Sequence, residues 1–258
     1  MPKLKSFTPG EPPVLYVQTG VKGVDPLLEG KGLPARSSTL VLGAPGSGKT
    51  MFGLQYLAHG ARNGEGGVYV SLDEEPETLM RNADRLGLGI TELVNEGTVV
   101  VVDASPIRVL PPKVKLGPSD VERKEFALAT LVTSINGAVN SCRAKRLVID
   151  PISTLAVHFV DDYDRRIGLL DLLSAISKTG CTTLLIAELG DPSLDRKYQF
   201  EEFIAHGVIV MTRILSGSVY TNVFSVEKMR GLAQDSQPHP YRIAEGGIEV
   251  YPMEPTFY

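Results

Sequence analysis

The sequence predicts an α/β domain in which a mostly parallel central sheet is flanked by helices and extended by antiparallel strands at its C-terminal end. Three observations carry this. Short runs that are apolar throughout recur along the chain, as strands buried on both faces do. Helix-length patterns separate them, so successive strands are joined by crossovers and lie parallel. From about His206 the helical patterns stop and strand-like runs follow one another directly.

The elements follow in order. Residues 1–18 begin with Pro2, Pro9, Gly10, Pro12 and Pro13 and read as an N-terminal arm, leaving 19–258 as one domain. Thr39 to Leu42 is the first buried strand, and Phe52, Tyr56 and Leu57 sit near helical spacing behind it. GVYVSL (67–72) is the next strand, followed by a helix with Leu79, Ala83 and Leu86 after Pro76. TVVVV (98–102) leads into Ala104–Pro118, which holds Pro106, Pro111, Pro112 and Pro118 and reads as a long excursion without periodicity. Ser119 and Glu122 have capping-box spacing before an apolar-periodic run that ends near Asn140. RLVI (146–149) and TTLLIA (182–187) are further strands, and Ile167, Leu170, Leu173 and Ile176 mark a helix face between them. Gly207–Ile214, Tyr220–Met229 and Tyr241–Tyr251 read as consecutive strands, with Ser216-Gly217 and Gly246-Gly247 as turns.

Composition excludes several classes. Of 258 residues, 43% are hydrophobic and 22% charged, which excludes a disordered chain. A formal net charge of −4 supplies no global field for nucleic acid or anionic lipid. Cys142 and Cys181 are too few for a disulfide framework or a zinc site. No apolar run approaches the ~18 residues of a membrane span, and the first residues lack the apolar core of a signal peptide. A cytoplasmic protein without a membrane partner is expected.

The strongest motif is Gly43-Ala44-Pro45-Gly46-Ser47-Gly48-Lys49-Thr50, a full G-x-x-x-x-G-K-[ST] phosphate-binding loop. A strand precedes it and a helix pattern follows, as the motif requires. Backbone N–H groups of such a loop wrap phosphates, and glycines let the chain approach without a clashing Cβ. The following helix turns its positive end to the anion. Lys49 reaches the β- and γ-phosphates and the Thr50 hydroxyl ligands Mg²⁺. Met51, next along the helix, completes the expected nucleotide-lining run. ATP and Mg²⁺ are the expected ligands.

Such a site needs a second carboxylate at a strand end to hold the metal. Asp103 after VVVV and Asp150 after LVI both qualify, and spacing alone leaves the choice open. Asp73, Glu74 and Glu75 follow GVYVSL at the carboxyl end of a strand, where ligands bind in parallel sheets. One of them could orient or deprotonate an attacking water. Equally, acids there suit the first turn of the helix after Pro76.

Together these segments resemble the KaiC/RadA branch of RecA-type ATPases. The resemblance begins with TGVKGVDPLLEGKGLP (19–34) and continues through VYVSLDEEPETLMRNADRLG, LVIDPIST and VEKMRG, on the KaiC-like side. Val24 and the segment Glu29–Gly32 depart from the family's entry pattern. The resemblance implies a RecA-type P-loop fold with one such ATPase module. It implies Asp150 as the metal-site carboxylate and leaves Asp103 structural. The family's adjacent glutamates fall on Asp73, a shorter side chain, and Glu74, the catalytic base. It also implies that Lys228 and Arg230 of the nucleotide-binding motif Lys228-Met229-Arg230 reach the γ-phosphate of a neighbouring subunit, so that a homo-oligomer, a hexameric ring, holds nucleotide at its interfaces. Lys228 and Arg230, at i and i+2 of a strand, share a face. Arg85 takes a base-proximal place, and the segment around Leu232, Gln234, Ala244 and Glu245 falls in the base- and ribose-contacting region.

Glu188 ends a core strand where a γ-phosphate sensor belongs in this superfamily, and Phe159–Asp162 stands where a pore loop begins. Gly190–Phe203 interleaves Arg196, Lys197, Tyr198 and Phe200, a pattern suited to phosphate contact and base stacking, although Asp191, Asp195, Glu201 and Glu202 cancel its charge. EEFIAHGVIV lacks the Ser/Thr pair of the family's autokinase half. The four histidines form no ligand pattern. The expected function is therefore Mg-dependent ATP hydrolysis by an oligomeric regulatory ATPase with a protein partner. The alternatives are a single-stranded-DNA-binding repair accessory and a nucleotide-binding module of negligible turnover.

Overall fold

The computed structural model describes residues 15–111, 113–116, 119–190, 196–216 and 219–254. The greater part of the expected arm, residues 1–14, lies outside them. Of the rest, β1 (Tyr16–Val17) pairs antiparallel with β2 (Leu33–Pro34). The chain then runs through β3 (Ser38–Gly43), α1 (Lys49–Arg62), β4 (Gly66–Ser71), α2 (Pro76–Arg85), α3 (Ile90–Asn95) and β5 (Val99–Asp103). A 3₁₀ turn over Ser105–Val109 leads to a hairpin of β6 (Lys113–Leu116) and β7 (Ser119–Glu122), then α4 (Arg123–Cys142) and β8 (Ala144–Asp150). After a 3₁₀ segment at Ile152–His158 come α5 (Asp162–Ser177), β9 (Thr182–Glu188), α6 (Phe200–Ile204), β10 (Gly207–Ser216), β11 (Val219–Met229), β12 (His239–Ala244) and β13 (Gly247–Val250).

Nine strands form one sheet in the order β13-β12-β11-β10-β3-β9-β8-β4-β5. From β10 to β5 all neighbours are parallel. From β10 to β13 all are antiparallel. The apolar-throughout strands have a simple cause: each face packs on its own layer. Val41, Tyr69, Val148, Leu184 and Ile186 join Phe52, Leu54 and Leu57 of α1 in one core. Leu40, Leu42, Val68, Val70, Leu147 and Ile149 join Leu131 and Ile135 of α4 and Leu172 and Ile176 of α5 in the other. Successive residues of a strand point to opposite faces, so a strand between two helical layers must be apolar at every position.

Three expectations change. Ser119–Glu122 is not a capping box but strand β7, registered against Lys113–Leu116. Helix α4 starts one residue later, with Glu122 at its N-cap and no side-chain cap bond. Strand pairing takes the backbone groups that a cap would have used. For the same reason Ala104–Pro118 is not a structureless excursion: it contains the 3₁₀ turn and one arm of the hairpin. Pro112, Gly117 and Pro118 lie outside the described residues. Finally, α5 buries Gly168, Leu169, Leu172 and Ile176, while Ile167 and Leu170 face outward. A Cβ on Gly168 would lie 2.2 Å from Cε1 of Phe159. That close approach turns the glycine side of the helix inward.

Candidate functional site

The loop between β3 and α1 is built by backbone conformation. Gly46 has φ +77°, with no atom within 4 Å of where its Cβ would stand. Gly48 has φ +92° and forms the left-handed N-cap of α1. A side chain at either would strain the turn, and one at Gly46 would project into the open cradle. Helix α1 has no side-chain cap, so its first amides are left to an anion. The Ser47 hydroxyl is buried without a hydrogen-bond partner on the inner side of the loop, where a Cβ on Gly43 would lie 2.5 Å from it. Pro45 is exposed at the loop tip, Ala44 is half-buried, and Met51 packs against the core beneath.

Lys49 Nζ donates to the carbonyls of Gly43 (2.8 Å) and Ala44 (3.1 Å), which curls the side chain over the loop. Burial holds its ammonium below the usual lysine range, while Asp150 and Glu188 pull in the opposite direction. Thr50 Oγ1 donates to Asp150 Oδ2 at 2.7 Å. The Tyr69 hydroxyl donates to the same oxygen at 2.5 Å. Asp150 ends β8, is 8% exposed, and is joined to Pro151 by a cis peptide. Burial raises its carboxyl above the ordinary range, opposed by the Tyr69 and Thr50 hydrogen bonds and the Lys49 charge. Asp103, the other candidate, accepts from the Ser105 amide at 2.9 Å and caps the turn after β5. Of the two carboxylates, Asp150 is the one that meets Thr50.

Asp73 and Glu74 line the same cleft of ≈ 180 Å³ as Lys49, Thr50 and Asp150. Glu74 is tied down locally. Its amide donates to Ser71 Oγ (3.3 Å), Ser71 Oγ donates to its carbonyl (2.5 Å), and Asn82 Nδ2 donates to its Oε1 (3.2 Å). Asp73 is ion-paired to Arg108. Glu188, exposed at the end of β9, completes the rim. Among the described residues no group of three or more His, Cys, Asp or Glu forms a metal cage. Thr50 and Asp150 together suit Mg²⁺, which keeps waters and phosphate oxygens as its other ligands.

The C-terminal hairpin buttresses the loop from behind. The Tyr241 hydroxyl donates to the Ser47 carbonyl at 2.6 Å, and Gln55 of α1 pairs with both backbone groups of Ile248. Arg85 is exposed at the end of α2, where the Gly246 amide donates to the Leu86 carbonyl at 2.7 Å. The end of α2 and the turn between β12 and β13 therefore meet through the backbone. Sequence reasoning missed Tyr69, Ser71, Arg108 and Tyr241. The phenol within the otherwise aliphatic GVYVSL was the one visible signal.

Lys228 and Arg230 stand elsewhere. Register places Lys228 beside Val208 and Val208 beside Leu40, whereas Gly43 pairs with Met211. They thus sit three residues, roughly 10 Å, from the loop's level, towards the opposite end of the parallel strands. Lys228 Nζ donates to the carbonyls of Glu202, Phe203 and Ala205, and Arg230 to that of Phe203. Met229 between them is buried. Arg196 is buried in a bidentate pair with Glu202 (2.7 and 2.8 Å) and a further pair with Glu227 (2.8 Å). That removes the leading cation from the expected nucleic-acid pattern. Asp161, in the expected pore loop, caps α5 through the Asp164 amide at 2.8 Å.

Known proteins resemble this chain in sequence and in fold. Residues 17–255 match the family profile described as "ATPase: KaiC". The circadian clock protein KaiC3 of Synechocystis is 32% identical over 242 residues, covering 92% of this chain and 46% of that protein. The KaiC oscillator protein of Synechococcus elongatus is 30% identical, with 93% and 45% covered. The chain thus spans about half the length of these clock proteins. A UPF0273 protein of Thermotoga maritima is 32% identical, with 92% of this chain and 96% of that one covered. The crystal structure of a KaiC-like protein from Pyrococcus horikoshii OT3 has a TM-score of 0.78 at 32% identity, covering 93% of this chain and all of that one.

Proposed function

The chain belongs to the KaiC ATPase family, and from that premise we propose that it binds Mg·ATP at the Gly43–Thr50 loop and hydrolyses it as an oligomeric regulatory ATPase. The observation that carries the reading is the junction of Thr50, Asp150 and Tyr69 at the mouth of the loop. Mg²⁺, when bound, neutralises charge on the β- and γ-phosphate oxygens. The loop amides and Lys49 hold the phosphates. Thr50 and Asp150 hold the metal, with Tyr69 fixing the carboxylate. Glu74, braced by Asn82, orients water and takes its proton as the water oxygen attacks the γ-phosphorus and the bridging oxygen leaves with ADP.

Lys228 and Arg230 are too far along the sheet to serve their own loop, which supports a role at a neighbour's γ-phosphate within a ring. The single-stranded DNA reading draws little support, because Arg196 is consumed by Glu202 and Glu227. Among the described residues no helix is long and apolar enough to cross a membrane.

Phosphate release from Mg·ATP, with and without single-stranded DNA, tests the reading, with Lys49→Ala as the blank. Steady turnover that is indifferent to DNA and falls at least a hundredfold in the blank is expected. Turnover equal in both proteins overturns the site. Stimulation by DNA that is lost at high salt favours the repair reading.

A further inference from the structure

The rim of the cleft is crowded with negative charge. Asp73, Glu74, Asp150 and Glu188 all line it, against one lysine, Lys49. A polyphosphate brings more. Yet Asp73 alone among these carboxylates is matched by a cation from outside the cleft, Arg108.

Arg108 is well placed for this. β4 and β5 are parallel with Ser71 opposite Asp103, so the turn after β5 rises beside the residues after β4. The Ala104 amide donates to the Ser71 carbonyl at 2.8 Å, and buried Ile107 anchors the turn in the core. Arg108 Nε donates back to the Ser105 carbonyl at 3.3 Å while Nη1 donates to Asp73 Oδ1. Glu74, one residue on, is held by different partners, Ser71 and Asn82. The two adjacent carboxylates therefore have different partners: Asp73 is paired with a guanidinium, Glu74 with the neutral Asn82 amide.

We propose that Arg108 is a positioning residue for ATP hydrolysis: by pairing with Asp73 it cancels that charge at the γ-phosphate end of the cleft and removes Asp73 as a rival to Glu74 for the attacking water. The proposal rests on the nucleotide reading above. Both side chains of the pair are about half exposed, at 41% and 56%. Such pairs add little to stability, so variants of either residue fold.

The test compares equilibrium binding of ATP and of ADP to wild type, Arg108→Ala, Arg108→Lys, Asp73→Asn and the Arg108→Ala/Asp73→Asn double variant. Single-turnover hydrolysis is followed in parallel. An uncancelled carboxylate opposes the γ-phosphate most. Arg108→Ala should therefore weaken ATP about threefold to tenfold more than ADP, the size of one solvent-screened unit charge. Lysine at 108 should restore ATP binding to within about twofold of wild type. Adding Asp73→Asn to Arg108→Ala should return ATP affinity to that of Asp73→Asn alone, because the two act through one charge. Equal weakening of ATP and ADP, no weakening, or effects that multiply in the double variant would overturn the proposal while leaving the nucleotide site intact. Wild type that fails to bind ATP overturns the site reading and this proposal with it.

Discussion

At the residue scale the site is a set of short hydrogen bonds made by side chains far apart in sequence. Tyr69 shows what one of them does. Its ring is 1% exposed and its hydroxyl is directed at Asp150. Burial and the Asp150 charge push that phenol well above its ordinary pKa, so it is a donor at any working pH. Tyr69→Phe keeps the packing and removes one hydrogen bond to a charged acceptor. It should lower the unfolding free energy by about 1.5 kcal/mol in urea titrations; a loss below about 0.3 kcal/mol would mean that Thr50 alone holds Asp150. The Gly43–Thr50 loop was legible in the sequence because its spacing is its chemistry. Tyr69, Arg108 and Tyr241 were not, because each partner comes from a distant segment and no local pattern announces it.

At the element scale the parallel strands were legible from their unbroken apolar runs, which a sheet between two helical layers demands. The hairpin β6–β7 was not, because Ser119–Glu122 satisfies both a capping-box spacing and a strand, and only its partner at 113–116 decides. The C-terminal hairpin is clasped to the entry segment by Glu249, which pairs with Lys22 and Arg242 and accepts from the Tyr251 hydroxyl at 3.3 Å. These partners hold its carboxyl at about 2, down from 4.5. A depressed carboxylate contributes stability that is fully present above the unfolded pKa and lost as pH falls through the folded one. Wild type should therefore exceed Glu249→Gln in urea midpoint at pH 7, and the gap should close as pH is lowered from about 4.5 towards 2. A gap constant across that range would mean that the clasp is not electrostatic.

At the scale of the whole molecule two cation-bearing groups stand at different levels of the sheet, Lys228 three residues below the loop's level. The phosphate loop lies at the carboxyl end of β3, and Lys228 with Arg230 lies towards the amino end of the same parallel array. In the proposed assembly, two chains arranged head to tail would bring them together. Repetition of such a contact closes a ring when the rotation allows it. In the proposed ring, hydrolysis would belong to the interface, with Lys228 and Arg230 of one subunit stabilising transition-state charge on the nucleotide of the next.

Mixing two disabled proteins tests this claim most directly. Lys49→Ala has no working loop but offers Lys228 and Arg230; the Lys228→Ala/Arg230→Ala variant has a working loop but no cations to lend. Each alone should hydrolyse ATP about a thousandfold more slowly than wild type or worse, with ATP binding retained by the second. Mixed before assembly, they should recover turnover well above the sum of the two. A mixture no more active than its parts, or full turnover by the Lys228→Ala/Arg230→Ala variant alone, would contradict hydrolysis at a shared interface.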